Sequence, residues 1–343
     1  MNARAIGLAT VCFIGVVTFS ANPAVATTRP VYRFYSIVTA PGPGGGPNIR
    51  TFGARSLSFT VPGFGTRSGA FVAAGDLNGD GVDEIVVGSG PGVTAQVKVF
   101  NADGTPTGVS FVPYPGFTGG VHVAVGQVLP GGGTQIVTGA GSGGGPHVRV
   151  FSPDGTPMGG GFFAYDARFR GGVTIATGHI RNNATEEIVT GPGPGGSDDV
   201  RIYDGLGQQL DRSGALYVEP GWLGGVNVAV GDVDGDSHPD VVTGAGPGGG
   251  PHVRALTFQP AMSLGGGFFA YSDAFHGGVS VGTLHDQSAG RDDIVVGPGA
   301  GGGPNVKVFD LDGRLLNSFF AYDDRFTGGV QVAGAQLDAP RAG

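Results

Sequence analysis

The chain has 343 residues, a formal net charge of -8, and 71 glycines, 24 prolines and one cysteine. No cluster or stripe of Lys and Arg appears, which excludes a nucleic-acid partner held by phosphate neutralisation, and Cys12 alone excludes a disulfide-stapled domain. So much glycine and proline would indicate disorder if aperiodic, but both recur in phase with short β-branched runs, so an ordered repeat is expected.

Residues 1–26 read as a signal peptide: Arg4, an apolar run from Ala5 to Ala21, and Ala24-Val25-Ala26 in the small-x-small form of a cleavage site. A membrane anchor fits less well, because the run is short for a bilayer and broken by Asn22 and Pro23. The expected location is secreted, extracellular or periplasmic, with no membrane span in the mature chain.

From there a single unit recurs. The second glycine of a doublet, or of its degenerate form, falls at Gly69, Gly120, Gly172, Gly225, Gly278 and Gly329, about 50 residues apart. After each doublet comes an alternating strand (Val121–Val125, Val173–Thr177, Val226–Val230, Val279–Thr283) and then a polar loop. A second strand follows (Ile85–Val87, Ile136–Thr138, Ile188–Thr190, Val241–Thr243, Ile294–Val296), and a GxGGGP-type turn. The third strand covers Val97–Phe100, Val148–Phe151, Val200–Tyr203, Val253–Leu256 and Val306–Phe309. The fourth is expected at Phe162–Tyr165, Phe268–Tyr271 and Phe319–Tyr322.

Four strands per repeat without helical periodicity predict an all-β, six-bladed β-propeller over residues 27–338, with 339–343 as a tail. The chain enters on a second strand, Ile37–Thr39, and ends on a solitary first strand, Val330–Ala335. The C-terminal strand is therefore expected to complete the N-terminal blade. Such closure pairs an entering strand that would otherwise be an exposed edge, which suits a chain without disulfides.

Two of the loops after the first strand are acidic. Asp76, Asn78 and Asp80 alternate, with Glu84 at position nine; Asp232, Asp234, Asp236 and Asp240 repeat the spacing. Hard oxygen ligands at positions 1, 3, 5 and 9, with the carbonyls of Val82 and His238 at 7, suit Ca²⁺, and two structural ions are expected. An EF-hand is excluded, since position 12 is Val87 or Thr243. The other loops have lost these ligands: Gln127, Leu129 and Gly131; His179, Arg181 and Asn183, with Arg181 expected to face Glu187; and His285, Gln287 and Ala289, with Asp293 near Arg291. The first blade's loop is split between Gln336, Asp338 and Ser36.

The stretch Val72–Gly88, VAAGDLNGDGVDEIVVG, resembles the FG-GAP repeat of integrin α-subunit propellers and their bacterial relatives. The resemblance runs over residues 31–338 and is sharpest in the two acidic loops. It implies loops that stiffen blades on the face opposite the usual ligand surface.

On that opposite face two columns recur. The residue opening the third strand is polar in every repeat: Asn48, Gln96, His147, Asp199, His252 and Asn305. Such residues either tie down their own turns or form a ring facing a shared ligand. The second column is aromatic, Phe64, Phe117, Phe169, Trp222, Phe275 and Phe326; Trp222 is the candidate platform for a sugar, although regular recurrence favours packing. Asp166, Glu219, Asp273, Asp323 and Asp324 bring carboxylates to this face, yet at equivalent repeat positions rather than as one singular acid pair. The expectation is a monomeric, non-catalytic adhesion module for protein partners. The alternatives are a glycan-binding lectin and, less favoured, a polysaccharide-active enzyme.

Overall fold

Six four-stranded antiparallel sheets, each a simple meander, stand around one axis in a computed structural model that describes residues 35–181, 184–213, 222–258 and 261–338. Residues 1–26, where the sequence reading expects a signal peptide, Asn183, Glu219 and residues 339–343 lie outside the described residues. The innermost strands are Ala70–Gly75, Val121–Gly126, Val173–Gly178, Val226–Gly231, Val279–Asp286 and Val330–Gln336. Each pairs with a second strand buried on both faces, such as Gln135–Ala140 or Asp240–Ala245. Exposure then rises outward to fourth strands such as Pro106–Phe111. This gradient explains why second strands read as continuous apolar runs while inner strands alternate.

The ring closes as expected. Tyr35–Pro41 pairs antiparallel with Val330–Gln336 in unbroken register, from Tyr35 opposite Gln336 to Pro41 opposite Val330. The core is not one mass but six wedges, each shared by neighbouring blades. Ile49 of the first blade packs with Ile85 and Phe100 of the second, and Val295 of the sixth packs with Ile37 of the first.

The fourth strands differ from expectation in a consistent way. They span Phe162–Phe163, Ala261–Phe269 and Leu315–Phe320, ending at the second phenylalanine, so the Ala-Tyr pair that follows leaves the sheet. The tyrosine is drawn to the next blade. Tyr165 Oη lies 2.9 Å from the carbonyl of Thr190 and 2.8 Å from that of Asp199; Tyr271 reaches Val296 and Asn305, and Tyr114 reaches Thr138 and His147. Tyr322 closes the ring onto the carbonyl of Asn48.

A basic side chain on the next blade completes each lock. Arg201 donates to the Ala164 carbonyl while its guanidinium lies over the Tyr165 ring; Lys307 does the same with Ala270 and Tyr271, and Arg50 with Ala321 and Tyr322. Lys98 and Arg149 bond the carbonyls of Pro62 and Pro113. These ties are cation–carbonyl and cation–π contacts at half-buried positions, and they hold blades together without disulfides.

The glycine doublets have a steric cause. A Cβ on Gly171 would lie 2.2 Å from the Pro194 carbonyl oxygen, and Gly172 adopts φ +77° with its hypothetical Cβ 2.5 Å from the backbone of the preceding blade. Backbone meets backbone here, and only glycine fits.

Candidate metal loops and axial channel

The loop of the fifth blade is built to gather negative charge. Asp232, Asp234 and Asp240 each offer a carboxylate oxygen within 4.8 Å of the others. The peptide N–H groups of Gly235 and Ser237 donate to Asp232, that of Asp236 to Asp234, that of His238 to Asp236, and that of Val233 to Asp240. Burial, with the charges of Asp234, Asp236 and Asp232, pushes the Asp240 carboxyl up to about 7. A carboxyl raised in this way is relieved by a cation, so the donor set fits a hard divalent ion. Turning the chain this tightly requires positive φ at Gly235 (+84°) and at Ser237 (+70°).

The second blade's loop has the same turn but a different interior. Gly79, Asp80 and Gly81 N–H groups donate to Asp76, and Val82 N–H donates to Asp80. Asn78 Nδ2 donates to Glu84 Oε1 at 2.9 Å, while Glu84 Oε2 accepts the Leu77 N–H. Among the described residues, the three-carboxylate cluster occurs in the fifth blade alone.

Position nine serves also where the other ligands are lost. Gln135 Oε1 accepts the Leu129 N–H, and Glu187 Oε2 accepts the N–H groups of Ile180 and Arg181. The expected Arg181–Glu187 charge pair does not form, because the Arg181 guanidinium turns outward to Asp211 at 3.5 Å. Glu187 is satisfied by backbone donors instead. Arg291 likewise faces Asp310, at 4.0 Å. One residue earlier, Asp83, Glu186 and Asp292 each exchange two hydrogen bonds with the backbone of the preceding blade, at Gln336, Gln127 and Asp232. Alternate blade junctions are thereby pinned on the acidic face.

On the other face the polar column turns to its own fourth strand rather than converging on the axis. Asn48 and Asn305 bond the hydroxyls of Ser58 and Ser318, and Gln96 bonds that of Ser110. His147 and His252 stack on Phe163 and Phe269 at 4.8 and 4.9 Å, and Asp199 pairs with Arg201 and Arg212. Trp222 packs as its phenylalanine counterparts do. A Cβ on Gly224 would meet its ring at 2.1 Å and one on Gly249 at 2.4 Å, and its Nε1 donates to the Gly225 carbonyl. Asp166 lies in a fork with exposed Arg168, which holds its carboxyl down to about 2; Asp323 and Arg325 repeat the arrangement.

What does converge is the second residue of each inner strand: Phe71, His122, Thr174, Asn227, Ser280 and Gln331 line the floor of a cavity of about 260 Å³ at the mouth of the axial channel. Its collar consists of glycines and prolines from the turns, including Pro91, Pro194 and Pro247. In the sequence these residues are the middle of each Val-x-Val run. The signal was their variability against constant neighbours.

The chain is thus a six-bladed β-propeller with an acidic-loop face and an open channel face. It carries FG-GAP repeats at two positions: the model of that repeat matches residues 68–106 and 224–254, the two blades with acidic loops. Comparison with curated proteins gave no match. Among solved structures, a protein of unknown function from Bacteroides caccae is similar in fold, with a TM-score of 0.56 at 12% identity over 88% of this chain and 99% of its own. Raptor from Chaetomium thermophilum aligns at 0.49 and 15% identity over 88% of this chain and 25% of its own. A rhamnogalacturonan lyase from Bacillus licheniformis aligns at 0.29 and 14% identity over 92% and 72%. At these identities the likeness concerns the fold alone. Among the described residues, no helix is long and apolar enough to cross a membrane.

Proposed function

We propose that this protein is a secreted, monomeric, calcium-stabilised binding module that recognises protein partners without catalysis. The observation that carries the reading is a corona of exposed apolar side chains on the channel face. Phe163, Phe269 and Phe320 stand at equivalent ends of three fourth strands and are 51%, 57% and 58% exposed, with Val112 of the second blade at the matching position just past its fourth strand. Repeated half-exposed aromatics on one face are a surface that a protein partner can cover. The acidic loops lie on the opposite face, where Asp232, Asp234 and Asp240 would hold Ca²⁺ and brace the blade. The non-catalytic part is supported by the forked Asp166–Arg168 and Asp323–Arg325 pairs, whose lowered carboxyls are poor proton donors.

A lectin reading is favoured by one feature: Phe163 and Phe269 each stack on a histidine while remaining half exposed, as a sugar platform does. The test is parallel display of the protein on arrays of extracellular proteins and of glycans, beside a Phe163→Ser, Phe269→Ser, Phe320→Ser triple variant of unchanged Tm. Protein hits lost by the variant support the proposal. Glycan hits lost by it transfer the reading to a lectin, and arrays on which the two proteins behave alike overturn the corona as a binding surface.

A further inference from the structure

The inner-strand column breaks the internal symmetry of the molecule. Before it stands Ala70 or a valine, and after it a valine or isoleucine, in all six repeats; at the position itself no residue type occurs twice. Packing alone does not call for this, since the flanking positions already supply the repeated wedge contacts. The six different side chains meet at a single place, the axial mouth.

Three of them are partly engaged with the ring. Thr174 Oγ1 donates to the Val226 carbonyl at 2.6 Å, Asn227 Nδ2 donates to that of Val279 at 2.7 Å, and Ser280 Oγ accepts the Val332 N–H at 3.3 Å. Among the described residues, the Asn227 carbonyl and the Ser280 hydroxyl proton have no further side-chain hydrogen bond. His122 contacts the Phe71 ring at 4.1 Å and, like Gln331, makes no side-chain hydrogen bond to a described residue. Polar groups that face a cavity with donors or acceptors not used by described residues can engage a ligand that supplies the missing bonds.

We propose that the axial mouth is a binding site for one small, uncharged, hydroxyl-rich ligand of the monosaccharide or cyclic polyol class. The size follows from the cavity of about 260 Å³, which has room for a single hexopyranose ring. Neutrality follows from the lining, which contains no Asp, Glu, Lys or Arg; a charged ligand would lose its hydration with nothing to replace it. Burial keeps His122 uncharged at neutral pH, consistent with this choice. The amphipathic character follows from the arrangement of the walls. Phe71 and the proline collar face the C–H edges of a ring, while His122, Gln331, Asn227 and Ser280 reach its hydroxyls. This site is separate from the aromatic corona and does not rest on the protein-partner reading.

The experiment is saturation-transfer NMR on the full mature protein with methyl hexopyranosides, N-acetylhexosamines and myo-inositol as neutral probes and a hexuronate as the charged one. The variants are His122→Phe and Gln331→Leu, each close in volume to the residue replaced. The expected result is transfer to at least one neutral probe and none to the hexuronate. Affinity should fall about tenfold or more in both variants at unchanged Tm, and stay unchanged in Phe163→Ser. If His122→Phe fails to fold, the His122 imidazole resonance of the unmutated protein serves in its place and should shift on titration with the bound probe. The proposal is overturned if no neutral probe shows transfer, if the hexuronate binds equally, or if binding survives Gln331→Leu with the imidazole resonance unmoved.

Discussion

Leu337 is the point at which ring closure can be measured by one substitution. It follows the closing strand Val330–Gln336, is 0% exposed, and packs with Val38, Ile49, Val61 and Phe64 in the wedge between the first and second blades. Leu337→Ala removes buried methyl groups from a site walled by two sheets, where collapse is limited. A cost of about 3–4 kcal/mol is expected, in the middle of the range for such truncations. With the unfolding entropy of a domain of this size, that is a fall in Tm of about 5 °C. Urea unfolding followed by fluorescence and circular dichroism should show a lower midpoint with an unchanged slope, since the folded state buries the same surface. Deleting residues 330–343 should do more, because it strips Tyr35–Pro41 of its partner and exposes an edge; loss of cooperative unfolding and aggregation are expected. A cost below about 1 kcal/mol for Leu337→Ala, or a deletion that unfolds with the same slope and midpoint, would refute the closure argument.

Other expectations follow from individual residues. Chelator should lower the Tm of the purified protein, and Asp232→Ala should give the same low Tm with or without added Ca²⁺, because an ion bound only by the folded state stabilises it by mass action; an unmutated protein indifferent to chelator contradicts the calcium assignment. Ser237→Gly should raise stability by about 1 kcal/mol, since Ser237 is the one non-glycine with positive φ among the described residues. The midpoint of chemical unfolding reads this directly, and a lower midpoint refutes it. Burial depresses the His122 imidazole to about 4, so from pH 6.5 downward the unfolded chain takes up a proton that the folded one refuses. Stability should therefore fall between pH 6.5 and 4, by about 2 kcal/mol after allowance for the open channel. The His122→Phe variant should lack that component, and parallel pH profiles for the two proteins would exclude it.

Much of the acidic-loop face is legible in the sequence. Alternate acids at Asp232, Asp234 and Asp236 with Asp240 at position nine announce a turn that gathers carboxylates, because ligand spacing within one loop is a local property. The difference between the loops is not legible there. Asn78 meets Glu84 directly, whereas the aspartates of the fifth blade face one another, and side-chain direction decides between these. The same limit applies to Arg181, whose nearest acid in sequence is not its partner. The polar column from Asn48 to Asn305 resembles a ring when the repeats are laid side by side. In space it sits on the third strand out from the axis, each member engaged by its own blade.

By itself the sequence determined the repeat, the blade count, the closing strand and the acidic loops. Each follows from periodicity, turn chemistry or spacing within a few residues. The tertiary structure decided everything that depends on which residues meet across blades. Tyr165 and Arg201 form one lock although they belong to different repeats. Phe71, His122, Thr174, Asn227, Ser280 and Gln331 form one site because a ring brings to its axis residues that the chain keeps about 50 positions apart. Convergence of that kind is a property of closure, and no local pattern encodes it.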